Sequence, residues 1–256
     1  MRPFLTLHHP AAARRHYAAG LWRDDTLYDL MARHAAERPD APAVRDATRQ
    51  LSWRALQAWV DGTASRFRAI GLSPGDRVSV WMSSRLEALV TFLACAREGL
   101  ACNPSLHRTY TSAEITVLLN TLGSALLVTE EGWGADRVAD PVRRFSEVLS
   151  LRAVLTPATF PAPAAGWDAD TAPVRDPDSV VYLAFTSGTT GLPKCVMHSD
   201  NTLLANARNL VRDWGHGPGT TMLSLSPLSH HIAWVGIGQW LVSGAAFVLS
   251  DPPPGL

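Results

Sequence analysis

Between Thr186 and Lys194 the chain reads TSGTTGLPK, and seven of these nine positions are hydroxyl, glycine or lysine. An ordinary turn needs only one or two such residues. Gly188 and Gly191 permit positive φ and close backbone approach, so successive amide N–H groups can converge on one anion. Thr186, Ser187, Thr189 and Thr190 add neutral donors, and Lys194 adds a mobile positive charge. The chemistry written here is that of a phosphate cradle. It is not a Walker A loop, because that motif places lysine directly after its last glycine and a hydroxyl next, whereas Lys194 lies beyond Leu192 and Pro193 and is followed by Cys195.

A second candidate is the stretch SPLSHHIAWVGIGQW, in which His230 stands at a helix start either as a binding group or as a hydrogen-bonded structural histidine. Trp234, Ile237 and Trp240 repeat at helical spacing. They read either as one wall of a pocket or as the core face of a buried helix, and the spacing favours the core face. Cys195 has no base near it in sequence, which favours a structural thiol over a nucleophile.

Elements able to position these groups follow from periodicity and caps. Helices are predicted after Thr26, after Ser52 with Gly71 as stop, and through SSRLEALVTFLACAREG with Gly99 as stop. A further one follows Thr111 or Ser112, with Glu114 in its first turn. Strands are predicted at DRVSVWM, SALLVTE and SVVYLAF, the last leading straight into the loop. Beyond it come a short apolar stretch CVMHS, a helix capped by Ser199 or Asp200, a strand TMLSLSP, an apolar helix HIAWVGIGQWLVSG and a strand AAFVLS. Strands alternating with helices predict an α/β fold of parallel βαβ units. The expected organisation is an extension over 1–23 and a first α/β subdomain over 24–155. A Pro- and Ala-rich connection follows over 156–177, then the start of a second subdomain over 178–256.

Composition narrows the functional classes. With 46% apolar and 18% charged residues and a formal net charge of +0, the chain suits a globular fold and carries no electrostatic footprint for nucleic acid. No apolar run is long enough to span a bilayer. The opening 23 residues hold arginines and no acid before Asp24, yet lack the serine richness of an organelle transit peptide. Three cysteines, Cys95, Cys102 and Cys195, show no CxxC spacing and suggest reduced thiols, no metal site and a cytoplasmic setting.

The loop resembles the signature T-S-G-T-T-G-x-P-K of the adenylate-forming superfamily, which includes acyl-CoA synthetases and the adenylation domains of peptide synthetases. It matches at Thr186, Ser187, Gly188, Thr189, Thr190, Gly191, Pro193 and Lys194. TLYDLMARHAAERPDAPAV, LSWRALQAWV, GLSPGDRVSVWMSS and NPSLHRTYTSAEITVLLNTLGSALLVT are similar to further segments of that family, and Pro227, Leu228 and His230 to its P-L-x-H-x-x-G segment. The resemblance implies the N-terminal part of the synthetase large domain, with parallel-rich sheets and incomplete. The implied activity is that of an ATP-dependent carboxylic acid:CoA ligase, with ATP, Mg2+ and coenzyme A as cofactors and fatty acid metabolism as one setting.

By that resemblance Thr186, Ser187, Gly188, Thr189, Thr190, Gly191 and Lys194 hold the ATP phosphates. His230, Ala233 and Trp234 lie at the acyl pocket, with Ala233 standing where glycine is usual. Cys195 likewise stands where the family commonly has glycine. The family's later Y-G-x-T-E and T-G-D segments and its catalytic lysine are not found in these 256 residues, so no catalytic residue is assigned. Two other readings follow: a remnant or partner-binding module that performs no adenylation, and an adenylation domain of a peptide synthetase. A complementary downstream chain is an expected partner of the first reading, beside the acid and coenzyme A.

Overall fold

A computed structural model describes residues 9–163, 171–186 and 194–250. In chain order the first elements are helix α1 (Pro10–Ala18), helix α2 (Leu27–Glu37), strands β1 (Pro42–Arg45) and β2 (Gln50–Ser52), and helix α3 (Trp53–Ala69). Strand β3 (Arg77–Trp81), helix α4 (Leu86–Glu98), strand β4 (Ala101–Asn103), helix α5 (Ser112–Leu122) and strand β5 (Ser124–Thr129) follow. Then come the short helix α6 (Pro141–Arg144), strands β6 (Ala153–Leu155), β7 (Val180–Phe185) and β8 (Cys195–Ser199), and helix α7 (Asp200–Trp214). Strand β9 (Thr221–Ser224), helix α8 (His231–Ser243) and strand β10 (Ala246–Leu249) complete the order.

The helix starts are set by side chains that satisfy the first free amides. Thr26 with Asp29 and Thr111 with Glu114 form reciprocal capping boxes, and Ser52 and Ser199 accept from Ala55 and Thr202. At the other end of α4, Gly99 adopts φ +65°, and a side chain there would press on Val174. Glycine ends the helix because that conformation is strained for any residue with a Cβ.

Two sheets result. One has six strands in the order β6-β5-β3-β4-β7-β8, all parallel except the last pair. Its inner strands are buried along their whole length, as a parallel sheet covered on both faces requires. The other has four strands in the order β2-β1-β10-β9, with β1 parallel to β10 and antiparallel to β2. Each sheet therefore draws strands from both sides of the 156–177 connection. One hydrophobic cluster takes side chains from both sheets and from α2, α3, α4 and α8. At its centre the rings of Trp53 and Trp240, both fully buried, stack 5.0 Å apart with planes 13° from parallel.

The described parts of the connection are strapped to the helices beneath. Trp59 donates its indole N–H to the Pro161 carbonyl at 2.6 Å, and Phe160 packs edge-on to the same ring. Arg97, only 3% exposed, donates to the Thr171 carbonyl at 2.7 Å while its own carbonyl accepts from Val174. Helix α1 is held to the lead-in of β7 and to α7, where the Tyr17 hydroxyl donates to Asp178 and accepts from Asn201. Burial, then Asp178, pushes the Tyr17 phenol up to about 12.

Candidate functional site

In an open parallel sheet the carboxyl ends of the strands point their loops to one side, and ligands bind in the crevice those loops form. Strands β3, β4 and β7 are neighbours or near neighbours in the sheet and deliver Ser83 and Ser84, Ser105 and His107, and Thr186 to this side. Ser105 joins two of these ends: its Oγ accepts from the Phe185 amide at 2.7 Å and donates to Asn103 Oδ1 at 2.8 Å. Glu130, just past β5, fixes the third by accepting from the Ser83 amide and hydroxyl and from Arg85.

The phosphate-type loop springs from this edge. Antiparallel pairing of β7 with β8 brings its ends together, and the Thr186 amide donates to the Lys194 carbonyl at 2.9 Å. Thr186 and Lys194 are both exposed. Ser187, Gly188, Thr189, Thr190 and Gly191 lie outside the described residues. A hydroxyl and an ammonium at the mouth of a loop make a donor set suited to an anion such as the phosphates of a nucleotide. Among the described residues no group of three or more histidine, cysteine or acidic side chains is placed to hold a metal.

The His230 segment meets the same edge. The Leu228 amide donates to Ser84 Oγ at 3.0 Å, the His230 amide to the Pro227 carbonyl at 2.9 Å, and the Trp234 indole to the Leu228 carbonyl at 2.6 Å. His230 is exposed at the N-cap of α8. Ala233 and Trp234, by contrast, are buried, and Trp234 packs against Phe92 with ring centroids 4.3 Å apart. Ile237 and Trp240 continue that buried face.

Three further histidines and a tyrosine gather here without any signal in sequence spacing. His107 faces His230 with ring centroids 4.5 Å apart and shares a hydrogen bond with Ser229 Oγ at 3.2 Å. His198 on β8 stacks with His231 at 5.1 Å, and His231 Nδ1 meets the hydroxyl of the buried Tyr182 at 3.3 Å. Burial pushes His107, His198 and His231 below the usual imidazole range, with a neighbouring imidazole adding to the effect for the first two. These three rings are therefore neutral near pH 7. Burial also pushes the Tyr182 hydroxyl far up, and the Cys195 thiol up to about 11, which leaves little thiolate at neutral pH.

A cavity of about 920 Å³ opens elsewhere, at the amino-terminal ends of β3 and β5, between Asp76, Arg77, Arg152, Leu183 and Met197. Among the described residues Cys195 lines it, whereas Thr186, Lys194 and the histidines do not.

A glycine- and hydroxyl-rich sequence leaving the carboxyl end of a buried parallel strand stands at the place where open α/β sheets take up ligands. The family model described as AMP-binding enzyme matches residues 31–256, and the chain belongs to this adenylate-forming family. It is 32% identical over 234 residues to the 2-succinylbenzoate–CoA ligase of Salmonella typhimurium, covering 90% of this chain and 46% of that protein. It is 29% identical over 264 residues to the 2-hydroxy-7-methoxy-5-methyl-1-naphthoate–CoA ligase of Streptomyces carzinostaticus, covering 94% and 47%. The apo structure of Mycobacterium smegmatis MbtA superposes with a TM-score of 0.78 at 27% identity, over 96% of this chain and 47% of that one. The chain thus spans about half the length of the relatives it matches, and corresponds to the N-terminal part of the fold.

Proposed function

We propose that this chain provides the phosphate-binding and acyl-entry half of an ATP-dependent carboxylic acid:CoA ligase. The observation that carries the reading is the closed base of the Thr186–Lys194 loop at the carboxyl end of β7, on the sheet edge that also carries His230 and His107. ATP with Mg2+ supplies the electrophilic phosphorus and a pyrophosphate leaving group. A carboxylate is a weak nucleophile approaching a polyanion, so positioning and charge neutralisation matter more than acid–base chemistry. In this reading Thr186 and Lys194, with Ser187, Gly188, Thr189, Thr190 and Gly191, bind the phosphates, and His230 orients the acid. Ala233 and Trp234 shape the pocket from behind by holding the start of α8.

The acid is proposed to be aromatic, not a fatty acid, because the two relatives are named for aromatic carboxylates. Coenzyme A as thiol acceptor rests on the same names. A cytoplasmic setting is supported by the free thiols of Cys95, Cys102 and Cys195. Among the described residues no helix is long and apolar enough to cross a membrane. The half of the fold that the relatives carry beyond the matched region would complete the site as a complementary segment.

The test is acid-dependent exchange of pyrophosphate into ATP, with a panel of benzoates, naphthoates and fatty acids, for the chain alone and for the chain supplied with such a complementary half. Exchange with aromatic acids is expected in the completed protein and not with the chain alone. Nucleotide that fails to bind in both preparations would refute the reading.

A further inference from the structure

Strand β7 delivers the chain into the loop, and its last residue, Phe185, is held differently on its two sides. Towards β8 a backbone pairing sets Phe185 opposite Cys195. One residue on, the Thr186 amide bonds to the Lys194 carbonyl, so the alternation of an antiparallel ladder turns the Phe185 amide the other way, towards β4. On that side the register rests on Cys102 beside Tyr182, three residues before β7 ends. The Phe185 amide therefore meets a side chain instead of a strand, and donates to Ser105 Oγ at 2.7 Å.

Ser105 is itself oriented by the end of β4. Its hydroxyl donates to Asn103 Oδ1 at 2.8 Å and its amide to the same oxygen at 3.3 Å, with Pro104 between them fixing the backbone φ by its ring. With its one proton committed to Asn103, the hydroxyl presents only lone pairs to Phe185. Asn103 is fully buried and Ser105 is 2% exposed, so water does not compete for either. A buried relay thus runs from the Phe185 amide through the Ser105 hydroxyl to the Asn103 carbonyl oxygen, and successive bonds of such a chain strengthen one another.

We propose that Ser105, oriented by Asn103, is a positioning residue for the phosphate loop: it fixes where β7 ends, and with it where the Thr186 hydroxyl and the Lys194 ammonium stand. This rests on the ligase reading above. Donors that meet a polyanion bind it best when they are held before it arrives, because ordering them during binding costs affinity. The opposite side of the loop base cannot hold them alone. Among the described residues β8 is the edge of its sheet, with Val196 39% exposed, and Thr186 and Lys194 are themselves exposed. The buried anchor lies on the β4 side.

The experiment compares wild type, Ser105→Ala, Ser105→Thr and Val44→Ala in the full 256-residue chain, the last as a core truncation in the other sheet. Amide hydrogen exchange is followed at Phe185 and Thr186, and Mg-ATP affinity by calorimetry. The Phe185 amide loses its acceptor in Ser105→Ala whatever the role, so Thr186, whose own acceptor is untouched, carries the test. In Ser105→Ala the Thr186 amide is expected to exchange about tenfold faster and ATP to bind about tenfold more weakly. Ser105→Thr keeps the hydroxyl and should restore most of both, while Val44→Ala loses thermal stability with neither changed. If Ser105→Ala unfolds, Ser105→Cys, of similar volume and a weaker acceptor, takes its place. Unchanged Thr186 exchange or unchanged ATP affinity overturns the proposal, as do equal losses in Val44→Ala, which would make Ser105 merely structural. Wild type that binds no ATP, alone or completed, refutes the ligase reading, and Thr186 exchange then still decides whether Ser105 anchors the loop.

Discussion

Thr186 and Lys194 face each other across the base of the loop, with the Thr186 amide donating to the Lys194 carbonyl at 2.9 Å and its hydroxyl to the same oxygen at 3.4 Å. That backbone bond lies one residue beyond the β7–β8 pairing of Phe185 with Cys195 and does not depend on either side chain. Lys194→Ala is therefore expected to preserve the fold and weaken ATP binding by about tenfold to a hundredfold, the worth of one charged contact to phosphate. Calorimetry on both proteins decides it. Equal affinities would remove Lys194 from the phosphate site.

The Trp53–Trp240 stack yields an asymmetric prediction. The Trp240 indole donates to the Ala43 carbonyl at 3.0 Å, whereas the buried Trp53 indole N–H has no hydrogen-bond partner. Phenylalanine at either position removes similar volume, but only Trp240→Phe strands an acceptor. Trp240→Phe should cost about 1–3 kcal/mol more than Trp53→Phe in urea unfolding. Equal losses would show that packing alone matters at both sites.

Asp200 sits buried at the start of α7 and accepts the Leu27 amide at the start of α2 at 2.9 Å. Burial raises its carboxyl to about 7, with Asp29 and Asp176 adding to the rise and the Leu27 hydrogen bond opposing it. A carboxyl raised in the folded state keeps its proton there while the unfolded chain has released it. Stability tied to Asp200 should thus fall as pH rises from about 4 to about 7, by up to roughly 4 kcal/mol, and level off above. Histidines held below the usual imidazole range, such as His107 and His198, have the opposite dependence, so the difference between wild type and Asp200→Asn isolates this group. Asp200→Asn keeps an acceptor for Leu27 and should gain on wild type from pH 5 to 8 in thermal unfolding. Parallel curves would mean that the carboxylate stays ionised in the fold.

Among the described residues strand β9 is an edge of the four-stranded sheet, and Leu223 on it, Leu225 just past it and Ile232 on α8 are 57%, 69% and 62% exposed. Apolar open edges seek another strand. The chain alone is expected to self-associate with concentration in sedimentation velocity, and Leu223→Lys with Leu225→Lys to shift it toward monomer. A wild type that remains monomeric throughout would contradict this.

Much of the architecture was legible because its signals are local. Thr26, Ser52, Thr111 and Ser199 mark helix starts through hydrogen bonds spanning three residues, and Gly99 marks an end through one backbone angle. The run SVVYLAF betrays β7 because a strand buried on both faces is apolar throughout. Strands β1, β2 and β4 gave no such signal, being three or four residues long and defined by partners far away. Strand β8 read only as an apolar stretch, because an edge strand of mixed exposure lacks a clean period. The loop announced itself through composition. His107, His198 and His231 did not, since what brings them together is the convergence of the loop after β4, strand β8 and the start of α8.

The parallel register of β1 on β10, Val44 beside Phe247, joins residues about two hundred positions apart. A ribosome adding about 5–20 residues per second makes the second partner roughly 10–40 seconds after the first. Through that interval Val44 and Trp53 are without the strand and ring that bury them, while β3, β4 and β5 can already pair. The amino-terminal hairpin is therefore made early and secured last, and it is the segment of the nascent chain with most need of a chaperone's cover.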